Sequence, residues 1–196
     1  MLRRRLSPLG KLALSCFESL PENRADTAVF CSEHGEVDRT VSLLDAIARH
    51  EDMSPTNFSL SVHNAIAGIY SIAHKYNGAI NAICAGSNSL FTTLIEAYGL
   101  LEAGHEEVAC LIYDEPLPNI YTPPHRLGRE ALAIALLITK ATPGEEHFEL
   151  CGTSQLTSEK GQTSFPGEEF IKCLLRPETG MSYLSDSHQW TLRRVN

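Results

Sequence analysis

The chain has 196 residues, 43% apolar and 20% charged, a globular mix that excludes a disordered or collagen-like chain. At this length about 70% of the unfolded surface is buried on folding, so a single domain over 1–196 needs no disulfide or metal to hold it. Sixteen basic against 24 acidic residues give a net charge of −8, which argues against a general nucleic-acid-binding or anionic-membrane surface.

Residues 3–19 read as a helix, with Leu6, Leu9, Leu12, Leu14 and Phe17 forming the apolar stripe. Arg3, Arg4, Arg5 and Lys11 precede the first acid and leave 12 basic against 24 acidic residues in the remainder. This basic start is either a solvated helix end or a patch for an acidic partner. Pro8 and Lys11 interrupt the apolar stretch after the arginines, which fits a signal peptide poorly, and no apolar run approaches the roughly 18 residues of a membrane span. Asp26–Cys31 is a buried-strand pattern, 32–36 a polar turn around Gly35, and Thr40–Arg49 a second helix. Ser54-Pro55 marks a break before a helix over about 59–76, closed by the turn dipeptide Asn77-Gly78.

Ala79–Cys84 is a short strand, followed by Gly86-Ser87 and a helix over about 88–103 with Gly104 as its C-terminal cap. Val108–Tyr113 is a buried strand and 114–124 a proline loop; 131–139 fits another buried strand, although its alanines leave a helix open. His147–Cys151 reads as an edge strand, 154–164 as a polar segment, 170–175 as a helix and 189–195 as polar–apolar alternation. Helices alternating with buried strands predict an α/β fold with a mixed, mostly parallel sheet.

The six cysteines form no C-x-x-C pair, and five lie in apolar runs. They read as reduced thiols of a cytoplasmic protein, with no disulfide framework. His63 and His74 share a helix face, but no third ligand stands beside them, so no metal site is expected. No cofactor motif is present either.

The most informative unit is strand 79–84, turn 85–87 and helix 88–103. A sharp strand-to-helix turn exposes its central residue at a helix N-terminus, where acyl-transferring enzymes place a nucleophile. Gly86 supplies the permissive backbone. Around it stand Ser54-Pro55, Asn64, Ala67-Gly68, Asn77-Gly78, Gly104 and an acidic turn, Asp114-Glu115. On these residues, and on the R-R-R-L-S-P-L-G-K start, the chain resembles the N-terminal half of the β-ketoacyl synthases, strongest over 1–140 and weak over 141–196. The resemblance implies a thiolase-like layered fold.

That family's nucleophile is a cysteine at the elbow. Counting forward from Ser54-Pro55 and back from Gly104 places Ser87 there, whereas a register shifted by three residues brings up Cys84. A serine without an adjacent base is a poor nucleophile, and the family's second half, which carries its histidines, has no counterpart here. The resemblance therefore implies a chain length factor, like the truncated ones of aryl-polyene-type polyketide systems. Such a factor pairs with a full-length ketosynthase and shapes its acyl tunnel. It implies Ala79, Ile80, Asn81, Ala82, Ile83 and Cys84 as the dimer strand, and Asn57, Phe58 and His34 as tunnel-gate candidates. Arg3, Arg4 and Arg5 become a patch for acyl carrier protein. A plain core position is the competing reading of Phe58.

The alternative function is a small acyl-transferring or hydrolytic enzyme using Ser87 or Cys84. Ala85-Gly86-Ser87-Asn88-Ser89 lacks the second glycine of G-x-S-x-G, and its triad partners would be Asp114 and His125. Asp114-Glu115 otherwise reads as structural, and Ile120 and Tyr121 as either a partner contact or a rigid surface connection.

Overall fold

The computed structural model describes residues 2–21, 25–121, 130–154, 166–176 and 180–195. His125, proposed above as a triad partner, lies outside them, as does the side chain of Arg3. The predicted first helix is two pieces: a 3-10 turn, Leu2–Arg5, and α1, Pro8–Phe17. Ser7 separates them because its hydroxyl accepts from the Gly10 amide at 2.8 Å and so starts a new helix, with Pro8 at its first position. Strand β1 is Thr27–Cys31, and α2 is Val37–Ala48.

The helix expected over 59–76 also divides, into α3, Pro55–Ser59, and α4, Ala65–His74. Ser54 caps α3 through the Asn57 amide, at 3.3 Å, and so belongs to the short helix rather than the long one. Lys75 adopts a left-handed conformation (φ 51°) that ends α4. Strand β2 is Ala79–Ile83, and a 3-10 turn over Gly86–Asn88 leads into α5, Ser89–Glu102. Next come β3 (Glu107–Asp114), β4 (Leu132–Thr139), β5 (His147–Ser154), α6 (Gly167–Leu175), β6 (Met181–Leu184) and β7 (His188–Val195).

The main sheet runs β2-β1-β3-β4. Its β1–β2 and β1–β3 pairings are parallel, and β3–β4 is antiparallel. Every residue of β1 is buried, because helices cover both faces, and this is why the strand reads as an unbroken apolar run. Ala28 and Phe30 face α1 and α4, packing with Leu9, Phe17, Ile66 and Tyr70. Phe17 meets both Phe30 and Tyr70 edge-on, with centroids 4.9 Å apart. Val29 faces the other way, onto Ala97 and Leu101 of α5, and Cys31 joins it on that face beside Leu90 and Phe91.

A second sheet, β5-β7-β6, is wholly antiparallel. Trp190 and Leu192 of β7 and Tyr183 of β6 turn inward onto Phe91 of α5 and Phe170 of α6. Alternation along 189–195 is thus a half-buried strand at the sheet centre. Five residues of β7 carry the signal, whereas four-residue β6 was too short to register. β5 lies at a sheet edge, as its sequence suggested.

Candidate functional site

The carboxyl ends of β1, β2 and β3 come together, the location where parallel α/β sheets bind ligands and partners. The turn after β1 is held by one carboxylate. Asp114, only 2% exposed, accepts from Ser32 Oγ (2.8 Å), the Glu33 amide (2.9 Å) and the His34 amide (3.1 Å). Ser32 Oγ in turn accepts from the Gly35 amide at 2.7 Å, and His63 Nε2 donates to the Ser32 carbonyl at 2.8 Å. Gly35 takes φ +60°, and a Cβ there would lie 3.3 Å from the His63 ring, so only glycine fits this turn without strain. Burial pushes the Asp114 pKa up, opposed by the Glu33, Ser32 and His34 hydrogen bonds. These bonds make Asp114 the anchor of the β1 turn.

Glu115 is half-buried, and its pKa rises to about 7, first through desolvation and then through repulsion from Asp38, Glu36 and Asp114. Among the described residues no group of three or more His, Cys, Asp or Glu is placed to hold a metal ion.

The elbow stands next to this turn. Gly86 takes φ +55°, and Ser89 Oγ braces the bend, accepting from the Ala85 amide (3.2 Å) and donating to the Gly86 carbonyl (2.8 Å). Ser87 is half-buried. Among the described residues no imidazole, amine or carboxylate hydrogen-bonds its hydroxyl. Cys84 lies one residue beyond β2, exposed, with Sγ directed to the Glu33 carbonyl at 3.1 Å. Burial pushes the Cys31 thiol to about 11 and the Cys110 thiol to about 12, so neither supplies a thiolate.

The second sheet reaches the elbow through Trp190, a contact the sequence did not disclose. Its Nε1 donates to Asn88 Oδ1 at 2.7 Å, and Asn88 Nδ2 lies 3.4 Å from Ser187 Oγ. The indole stacks on Phe91 (5.1 Å) and His188 (5.3 Å). Gly152 of β5 lies under the ring, where a Cβ would come within 2.8 Å of indole carbon Cε3. His188 therefore sits near the elbow, sharing a 2.8 Å hydrogen bond with Ser187.

The remaining predicted residues spread around this centre. His34 is half-buried on the β1 turn, and among the described residues its Nε2 has no hydrogen-bond partner; the Glu33 carboxylate 3.8 Å away is beyond hydrogen-bond reach. Asn57 is exposed on α3, with Oδ1 accepting from Arg39 at 3.0 Å. Phe58 is 62% exposed, which removes the core reading of that position. Arg4 and Arg5 are exposed, as are Ile120 and Tyr121.

Strand β2 is an edge of the main sheet. Ser32 N donates to the Ile83 carbonyl at 3.3 Å, so Ile83, Asn81 and Ala79 turn their backbone groups toward β1 and those of Ile80 and Ala82 point outward. An open cleft of about 610 Å³ lies between α4 and β2, lined by His63, Ala67, Gly68, Ser71, Ile80 and Ala82 among others. A second cavity, about 380 Å³, opens between β4 and α6 around Leu136, Ile138, Phe170 and Leu174, at the opposite end of the sheet from the elbow.

The N-terminal domain of the β-ketoacyl synthases matches residues 1–192. The chain belongs to the β-ketoacyl synthase family. A chain in the complex of the ketosynthase ApeO with its chain length factor ApeC from Xenorhabdus doucetiae superposes with a TM-score of 0.84 at 31% identity, covering 97% of this chain and 79% of that one. The ishigamide ketosynthase/chain length factor superposes with a TM-score of 0.60 at 14% identity, over 88% of this chain and 54% of that one, a likeness of fold alone. No curated protein matches the chain in sequence. The layered α/β architecture is thus the thiolase-like fold that the elbow and its flanking motifs implied. No helix among the described residues is long and apolar enough to cross a membrane.

Proposed function

We propose that this chain is a chain length factor: a subunit that does no acyl chemistry itself, pairs with a full-length ketosynthase and sets how long an acyl or polyketide chain grows in the partner's tunnel. The observation that carries the reading is the elbow. It keeps the family's sharp turn and helix start but holds Ser87, with no base hydrogen-bonded to it among the described residues. The match to a ketosynthase–chain length factor complex supports the same assignment. The competing reading, a hydrolase or acyltransferase using Ser87 or Cys84, needs a general base, and among the described residues none is hydrogen-bonded to either side chain.

Pairing runs through β2 in this reading. The outward backbone groups of Ile80 and Ala82 offer a ladder to a partner strand, and an exposed edge of this kind is a hazard if left open. Ile72, Ile95 and Tyr98 on the flanking helices α4 and α5 are exposed as well, so the chain alone is expected to be poorly soluble. His34, Asn57 and Phe58 then face the partner's tunnel, and the basic N-terminus around Arg4 and Arg5 meets an acyl carrier protein.

Association is tested by Ala82→Pro. Proline there deletes one outward N–H without touching the β1 ladder, and edge strands tolerate it. Co-expression with the cognate ketosynthase followed by size exclusion is expected to give a complex for the parent chain and a weakened one for Ala82→Pro. A stable monomer that binds no ketosynthase defeats the proposal.

A further inference from the structure

Helix α3 carries two of the gate candidates, yet none of its five residues is buried. A helix that buries no side chain has no packing to fix its orientation, so other contacts must do so. One side-chain contact stands out. Arg39 of α2 donates from one guanidinium nitrogen to Asn57 Oδ1 (3.0 Å), from Nε to Glu36 Oε2 (2.6 Å), and from its third nitrogen to the Arg5 carbonyl (2.6 Å). Glu36 is 5% exposed, and its other oxygen accepts from Ser7 Oγ at 2.7 Å. The N-terminal segment, the β1 turn, α2 and α3 are tied at this point. A planar guanidinium can serve three acceptors in fixed directions, which a lysine ammonium on a flexible stem cannot.

We propose that Arg39, anchored by Glu36, is a specificity-determining positioning residue: it fixes the rotamer of Asn57, and through it the shape that α3 presents to the growing acyl chain. With Oδ1 engaged by Arg39, Asn57 presents its Nδ2 as a donor for whatever covers α3. Losing Arg39 frees both the side chain and the helix, so the tunnel end is no longer held at one length. The inference rests on the chain length factor reading given above.

Arg39→Lys keeps a cation beside Glu36 and is the variant least prone to unfold. In the complex with the ketosynthase, mass spectrometry of carrier-bound products is expected to show minor chain lengths rising roughly three- to tenfold, the population change that follows loss of one hydrogen bond. In an Asn57→Ala background the same substitution is expected to leave the distribution unchanged, because nothing remains for Arg39 to position. A purely structural arginine would instead lower complex stability equally in both backgrounds without moving lengths. Unchanged lengths in Arg39→Lys, with Asn57→Trp shortening products, overturns the role of Arg39 and leaves the gate standing. Unchanged lengths in Asn57→Trp as well removes the gate itself, and Arg39's role with it.

Discussion

The turn carrying His34 depends on a single buried carboxylate, and Asp114→Ala tests that dependence. The substitution orphans three donors that now end on Asp114: the Ser32 hydroxyl and the amides of Glu33 and His34. Leaving a buried donor unsatisfied costs about 1–3 kcal/mol each. The Ser32 hydroxyl can rotate to another acceptor and the half-buried turn admits water, so a total of about 3–5 kcal/mol follows. For a chain of this size that corresponds to a fall of roughly 6–20 °C in melting temperature. Asp114→Asn separates charge from geometry. Its carbonyl oxygen still accepts from Ser32 and His34, while the loss of charge weakens those bonds and relieves the burial of an ion, leaving about 1–2 kcal/mol. Thermal melts of the parent and both variants, each in complex with the ketosynthase, give the comparison. A cost below about 1 kcal/mol for Asp114→Ala, or an Asn variant no better than the Ala variant, refutes the account of the turn.

Gly152→Ala pushes a methyl into the Trp190 ring and displaces it from Asn88, at about 1–3 kcal/mol for an overfilled contact; with one tryptophan in the chain, a shift in its fluorescence maximum reports the displacement, and an unchanged spectrum with unchanged stability contradicts it. Glu115 has a folded pKa near 7, above its ordinary 4.5, so the stability it contributes is complete below about 4.5 and is lost as pH rises through about 7. Glu115→Gln is expected to flatten that loss in melts taken from pH 4.5 to 8, and parallel profiles for parent and variant would show that the carboxyl does not titrate in this window. Phe58→Ala removes an exposed ring from the proposed gate and is expected to lengthen products while leaving complex stability within about 0.5 kcal/mol, as for surface substitutions generally; a destabilised complex with unchanged lengths assigns Phe58 to the interface instead.

The fold was legible where local chemistry decides it. β1, β2 and β3 read as apolar runs, β4 is a strand where the alanines left a helix open, and the Gly86 bend follows from a strand ending just before a helix. The α3–α4 division was not legible, because the apolar period continues through residues 59–76 and only Ser54's cap and the bend after Leu60 interrupt it. The site divides in the same way. Asp114 holds the β1 turn, and Ser87 lies in the 3-10 turn between β2 and α5, where the family resemblance puts the elbow. The Trp190–Asn88 bond spans 102 residues, and Arg39 reaches Asn57 across 18; no local pattern encodes either. Gly152 was the available signal for a close approach at β5, since an isolated glycine in a strand often marks a bulge, a bend or a group packed close to the backbone; here that group is the Trp190 ring.

The central claim is that this subunit sets chain length without forming an acyl bond. The most direct measurement is intact-mass and product-mass spectrometry on the reconstituted reaction: ketosynthase alone, ketosynthase with this chain, and ketosynthase with a Ser87→Ala, Cys84→Ala double variant. The account predicts a defined product length only when this chain is present, unchanged within a few-fold in rate for the double variant, with acyl adducts on the ketosynthase alone. An acyl adduct on Ser87 or Cys84, or loss of product from the double variant in an intact complex, would contradict it.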